Sequence, residues 1–380
     1  MNRYTAALVP GPTVVPEHLV KLYQERFYGS PDVEPEFFAL YEKTCNNLSE
    51  LLNVKTSEGS SVVIQSGEGM LALWSAIKSV LPWPFDFPEE FRVLCIGNGV
   101  YGDGFSDMVK QLRYPNVKVE LLSFEYNEAI NVEKVKEKIQ RFQPNLVTAV
   151  LCDTPTGVLN SPAVEIIGKY VRENNGLYCV DFVSAGVAVP VDVNGWCIDL
   201  GLLGTQKALS CESTLSIVTV SERAWKQIEK VNYAGYDALW PWKNVVQDQL
   251  APYTHNWPHI DALNEQLILI LKDVEGEYQR HREIAEYCRE RAKKMGLKLW
   301  LDGEVEYLNS PSVTALVVPE GVEWQKLDSI IKARGVALGG SYGKGANVIF
   351  RIGHMGSQAT LENVKLGMDI LEEELQKLTN

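Results

Sequence analysis

Between residues 60 and 220 short runs of consecutive apolar residues alternate with stretches in which apolar residues return every third or fourth place. The runs fall at 61–65, 92–96, 117–123, 147–152, 176–183, 199–204 and 214–220. Runs that are continuous rather than alternating read as strands buried on both faces, and the stretches 132–142 and 163–174 read as the helices that cover them. The pattern predicts an α/β fold built on a mostly parallel seven-stranded sheet, with ligands gathered at the carboxyl ends of its strands. Residues 221–258 are rich in Trp, Tyr and Pro and carry no clear period. One long helix is expected over 259–296, closed by Gly296; strand 311–318, helix 324–334, strand 346–352 and helix 360–378 then form a smaller α/β unit. The expected division is a large domain over 1–258 and a small C-terminal domain over 259–380.

Composition narrows the class of function. The chain has 380 residues, 46% hydrophobic and 22% charged, as in ordinary globular enzymes. A net charge of -13 argues against a nucleic-acid partner. No run reaches the roughly 18 apolar residues that a membrane helix needs. The opening "MNRYTAALVPGPTVVP" is broken by prolines and does not read as a signal peptide. Seven scattered cysteines without a CxxC, and five histidines without ligand spacing, suggest reduced thiols in a cytoplasmic protein and no metal site.

Five places carry candidate chemistry. In "VVIQSGEGMLALWSAIKSVL" (62–81) an apolar strand turns through glycine into a helix starting near Met70, a geometry suited to an anion. Glu68 lies in that turn, either capping the helix or replacing the anion. "CIGNGVYGDG" offers Gly97-x-Gly99-x-x-Gly102 with Glu120 further on, the dinucleotide fingerprint; its alternative is a glycine-rich turn that presents Tyr101 to a ligand. Asp181 lies inside an apolar strand and needs a cationic or strong-donor partner. Lys207 follows "LGLLGTQ" among small residues, a partly desolvated amine able to form a Schiff base. An acid and an amine of this kind at the ends of a parallel sheet suit pyridoxal chemistry, where the acid keeps the ring nitrogen protonated and the lysine moves a proton. Arg351, between apolar residues in "FRIGHMG", suits a two-donor grip on a carboxylate or an interdomain ion pair.

The chain resembles the class V, fold-type I aminotransferases of the alanine–glyoxylate and serine–pyruvate group. The resemblance rests on "PGPTVVP" (10–16), "SGEGMLAL" (66–73), "DTPTGVLN" (153–160), "VDFVSA" (180–185), "GTQKAL" (204–209) and "RIGHMG" (351–356). It implies transamination between a small amino acid (alanine or serine) and a 2-oxo acid (pyruvate or glyoxylate), with pyridoxal 5′-phosphate as cofactor. Lys207 matches the Schiff-base lysine, Asp181 the partner of the ring nitrogen, Val183 the residue behind the ring and Tyr101 the stacked aromatic. Thr154 matches the hydroxyl near the ring oxygen, and Gln206 with the backbone of Gly69 and Met70 matches the phosphate contacts. Tyr253 and Asn256 match contacts given by a neighbouring subunit, which implies a homodimer or dimer of dimers with a shared site. Arg351 matches the binder of the substrate carboxylate, and Gly11 belongs to the segment lining the substrate pocket.

Departures from the family pattern point to a second activity. The family usually has a small hydroxyl residue at Glu68 and threonine at Asn256, and "SCEST" replaces a proline-rich turn after Leu209. Pyridoxamine–pyruvate aminotransferase is similar at 99–105, 126–130 and 153–155 and has a glutamate matching Glu68, which implies unphosphorylated pyridoxal as substrate. Its second carboxylate-binding arginine corresponds to Tyr342. A class V lyase or cysteine desulfurase would need a reactive thiol, for which Cys211 is the candidate.

Overall fold

The computed structural model describes residues 4–32, 34–87 and 89–379; the first three residues of the N-terminal stretch weighed as a signal peptide lie outside these. A short strand β1 (Ala6–Ala7) and two helices, α1 (Glu17–Glu25) and α2 (Pro35–Leu51), come before the main sheet. Next come β2 (Ser61–Ser66), helix α3 (Gly69–Val80), β3 (Phe91–Gly97), helix α4 (Val100–Gln111), β4 (Val117–Ser123) and β5 (Leu146–Val150). A small hairpin of β6 (Cys152–Asp153) and β7 (Val158–Leu159) leads on to β8 (Leu177–Asp181), β9 (Leu200–Gly204) and β10 (Leu215–Val220).

The seven-stranded sheet runs in the order β2-β10-β9-β8-β5-β3-β4. Every pairing is parallel except those of β10, which is antiparallel to both β2 and β9. All seven expected strands are present, and the sheet is mostly parallel as its continuous apolar runs require. Every residue of β5, β8, β9 and β10 is buried. The edge strand β4 mixes half-buried and exposed positions. Helix α3 buries Ala72, Leu73, Ala76, Ile77 and Val80, a stripe at three- and four-residue spacing that holds its N-terminus at the end of β2. Each such large aliphatic side chain contributes roughly 1.5–3 kcal/mol by leaving water.

The helix expected over 259–296 is two helices, Trp257–Leu271 and Val274–Lys294. Asp273 breaks the run: its backbone turns to φ -157°, and its side chain accepts the Gly276 N–H at 2.9 Å as the cap of the second helix. Beyond it, β11 (Val313–Val317), the helix Trp324–Ala333, β12 (Val336–Ala337), β13 (Gly339–Gly340), β14 (Ile349–Gly353) and the helix Leu361–Thr379 form the smaller unit. Its sheet has the order β11-β14-β13 and is antiparallel.

Buried apolar residues form two main clusters. One surrounds the seven-stranded sheet, and the other joins Ala6 and Leu8 to residues from Ile284 to Leu375. The N-terminal strand belongs to the second cluster because β1 pairs in parallel with β12, and Leu8 accepts the Gly353 N–H at 2.6 Å. Residues 9–14 therefore cross from the smaller unit back to the ends of the large sheet.

Candidate active site

Four strand ends of the large sheet supply one cleft. It is lined by Glu68, Gly69, Met70, Leu73, Tyr101, Thr154, Asp181, Val183, Ser184, Gln206 and Lys207. Glu68, Gly69 and Met70 arrive on the turn from β2 into α3, and Tyr101 on the first turn of α4. Asp181 closes β8, and Gln206 and Lys207 follow β9. Nine residues that the sequence singled out share this cleft; Leu73 and Ser184 join them unannounced.

The charges are set by burial. Asp181 is 5% exposed and its Oδ1 accepts the Val183 N–H at 2.8 Å. Burial pushes its carboxyl up to about 7, aided by the nearby Asp153 charge and opposed by the Val183 N–H and Lys207. The same burial, with Arg351 adding like-charge repulsion, lowers Lys207 to about 8; Asp181, Cys152 and Glu68 pull the other way. Lys207 Nζ donates to the Pro10 carbonyl at 2.6 Å. Thr13 fastens the same turn, its hydroxyl donating to the Lys207 carbonyl at 2.9 Å and its N–H to the Gln206 carbonyl at 2.9 Å. Gly11 (φ +83°) allows this approach, because a Cβ there would come within 2.6 Å of Lys207 Nζ.

Glu68 occupies the N-cap position of α3, yet its side chain makes no capping bond to the helix. Its carboxylate instead accepts Gln206 Nε2 at 3.1 Å. Of the two readings, simple capping is therefore not what the side chain does. At Gly69 the space is tight: a Cβ would meet Gln206 Nε2 and Val183 Cγ1 at 3.2 Å.

Arg351 is 4% exposed and stands on β14 beside the cleft. Its Nε donates to the Gly340 carbonyl at 2.8 Å and its Nη1 to the Thr154 carbonyl at 3.2 Å. The Tyr342 ring lies 5.2 Å from the guanidinium carbon, and among the described residues the guanidinium's hydrogen bonds go to the Gly340 and Thr154 carbonyls and not to an interdomain carboxylate. Burial lowers its pKa from the usual value. Thr154 and Ser184 share a short hydroxyl–hydroxyl hydrogen bond.

Two expected residues stay outside the cleft of their own chain. The Tyr253 hydroxyl donates to the Gly235 carbonyl at 3.2 Å, and Asn256 Nδ2 bonds His259 at 2.8 Å. Sequence reasoning missed Pro10, Thr13 and Ser184, and gave no role to Asp153, which is fully buried beside Tyr101. Asp153 had a signal, an acid ending an apolar strand, the same one that marked Asp181. Pro10 had none, since what it offers is a backbone carbonyl.

The aminotransferase class-V family model matches residues 10–367. An uncharacterized aminotransferase of Methanocaldococcus jannaschii is 30% identical over 97% of this chain and 94% of its own length. Pyridoxamine–pyruvate transaminase of Mesorhizobium japonicum is 30% identical over 86% of this chain and 81% of its own. The crystal structure of ureidoglycine–glyoxylate aminotransferase from Bacillus subtilis superposes with a TM-score of 0.90 at 26% identity, covering 98% of this chain and 93% of that one.

Proposed function

The chain belongs to the class V aminotransferases, and from that premise we propose that it moves an amino group between a small amino acid, alanine or serine, and a 2-oxo acid, pyruvate or glyoxylate. The family is pyridoxal-phosphate-dependent, and the residues present fit a pyridoxal ring. Asp181 is a carboxylate that burial holds up to about 7, and the cation of a protonated ring nitrogen beside it would stabilise its charged form. Tyr101 and Val183 line the same cleft, and Gln206 Oε1 and Ser66 Oγ are buried without partners. When bound, the group supplies an aldehyde that condenses with amines and a ring that accepts electrons.

The protein's own residues do the rest. Lys207, with its pKa lowered to about 8, holds more neutral amine at physiological pH than an exposed lysine would, and its nitrogen can give or take a proton. Asp181 orients and charges the ring edge, and Gly11 with Pro10 closes the cleft over the lysine. Arg351 carries the substrate assignment: a buried guanidinium with no carboxylate partner among the described residues, next to Thr154, suits the carboxylate of a small acid. Arg351→Lys should raise the alanine KM by roughly 30- to 100-fold, as a point charge replaces a planar two-donor grip. Ethylamine, which lacks the carboxylate, should be processed equally by both proteins. Equal losses for both amines would make Arg351 structural.

Glu68 supports a second reading, in which unphosphorylated pyridoxal or pyridoxamine is itself the substrate; the Mesorhizobium relative is named a pyridoxamine–pyruvate transaminase. Here the Glu68 carboxylate takes the Gln206 amide, one of the donors expected for phosphate. Glu68→Ser should tighten pyridoxal 5′-phosphate by at least about tenfold and leave pyridoxal unchanged. Equal, tight phosphate-cofactor binding by wild type and variant would leave only the ordinary cofactor-dependent reading. Cys211 gives a desulfurase reading no support, because burial pushes its thiol well up and its Sγ donates to the Leu209 carbonyl. Tyr253 and Asn256, outside the cleft of their own chain, are assigned to the site of a second subunit in a homodimer.

A further inference from the structure

The glycine fingerprint Gly97-x-Gly99-x-x-Gly102 has no dinucleotide to hold in an aminotransferase, and a side chain of the protein fills the place a pyrophosphate would take. Gly99, the N-cap of α4, has no side chain with which to cap the helix. Asp153 comes from β6 instead, its Oδ2 accepting the N–H groups of Tyr101 at 2.8 Å and Gly102 at 3.2 Å. The glycines answer to this arrangement. A Cβ on Gly99 would fall 2.1 Å from the Asp153 carboxyl carbon, and one on Gly102 would lie 2.7 Å from the Gly97 Cα. The first makes room for the carboxylate, and the second lets the helix start press on the end of β3.

Asp153 is fully buried, and its Oδ1 has no hydrogen-bond partner among the described residues. Burial drives its carboxyl up to about 6 in spite of the N–H donors at Gly102, Tyr101 and Val100. A helix cap alone would be met more cheaply by an exposed residue at the N-cap position. What distinguishes Asp153 is where its turn leads. The next residue, Thr154, hydrogen-bonds Ser184 through its hydroxyl and accepts Arg351 Nη1 through its carbonyl. The one after, Pro155, accepts the Ser341 hydroxyl at 2.7 Å. A single three-residue turn thus touches the helix that carries Tyr101, the cleft hydroxyls and the strand that carries Arg351.

We propose that Asp153 is a positioning residue that clamps the first turn of α4, so that Tyr101 faces the cleft while the adjoining Thr154 carbonyl holds Arg351 in register with it. The inference rests on the transaminase reading of the cleft, but the clamp itself is measurable without substrate.

Hydrogen exchange at the Tyr101 and Gly102 amides should be compared in wild type, Asp153→Asn and Asp153→Ala. The same proteins should be loaded with pyridoxal and examined for the induced circular dichroism of the chromophore and for the alanine KM. Loss of a charged acceptor predicts at least about tenfold faster exchange at both amides in Asp153→Ala. A weaker dichroic band and a several-fold higher alanine KM should accompany it. Asp153→Asn keeps an oxygen that can accept and should recover most of the band. Lower thermal stability with exchange, band and KM all unchanged would reduce Asp153 to a structural residue and overturn the proposal. If wild type neither binds pyridoxal nor transaminates, the transaminase reading fails, and with it the positioning role, while exchange still reports on the clamp. Should Asp153→Ala not fold, wild type is compared with Asp153→Asn, whose neutral oxygen is the weaker acceptor; about threefold faster exchange is expected, and no change overturns the clamp.

Discussion

Asp181 and Lys207 are displaced in opposite directions for one reason: burial disfavours whichever form is charged. The folded pKa of Asp181 rises from 3.8 to about 7, so its ionisation favours the unfolded chain. That cost is absent below about pH 4 and grows as pH climbs to about 7, with a ceiling of about 4 kcal/mol. Asp181→Asn, whose amide oxygen can still accept the Val183 N–H, should therefore raise the melting temperature of the ligand-free protein at pH 8, leave it nearly unchanged at pH 4, and lose transamination. A variant that melts earlier than wild type at pH 8 would show that the carboxylate is structural. Asp181, Lys207 and Arg351 were legible in the sequence because a charge inside an apolar run is costly and so needs a reason. Thr154, Val183 and Gln206 came only through the family resemblance, whereas Tyr101 was already marked by its glycine-rich turn. Pro10 was illegible, since what it offers Lys207 is a carbonyl that any residue would carry.

Elements were read as well as their periods allowed. The seven strands of the large sheet emerged because burial on both faces makes their apolar runs continuous. Helix α2 was not expected, although Pro35 in its first turn was a start signal and Phe37, Phe38, Tyr41 and Leu48 are buried along it. The apparent single helix over 259–296 concealed a boundary whose marker is one residue. Asp273→Ala removes the cap bond to the Gly276 N–H and should cost about 1 kcal/mol, read as a lower urea midpoint with unchanged slope. An unchanged midpoint would mean that packing alone sets the boundary. The short strands β1 and β12 were missed for a different reason: two residues are too few to show a period.

The whole chain is organised around a crossing. Its N-terminus is stitched into the smaller unit by β1 and Leu8, then runs over Gly11 to the lysine turn of the large sheet. Arg351 reaches the same region on β14 and touches the Thr154 carbonyl of the large sheet's hairpin. Both units thus contribute to one cleft, an arrangement that hydrophobic periodicity gives no sign of, because it depends on hydrogen bonds between residues far apart in sequence, such as Thr13 with Gln206 and Leu8 with Gly353. The charge pattern was legible only as an exclusion. Among the described residues no helix is long and apolar enough to cross a membrane. The fold class was legible in the pattern of apolar runs, and the family model matching residues 10–367 supports the same assignment.

The most direct measurement is the mass of what borohydride fixes to the protein after mixing with pyridoxal, followed by sequencing of the modified peptide. An amine held at about pKa 8 in the cleft, against Pro10 and among Asp181, Tyr101 and Val183, should be the lysine that is labelled. The expected result is one added pyridoxyl group per chain, located on Lys207 and absent from Lys207→Ala, with alanine–pyruvate exchange lost in that variant while its circular dichroism stays that of a folded protein. Labelling spread over surface lysines, or Lys207→Ala retaining more than about a hundredth of the wild-type turnover, would contradict the assignment of this cleft as a transaminase site.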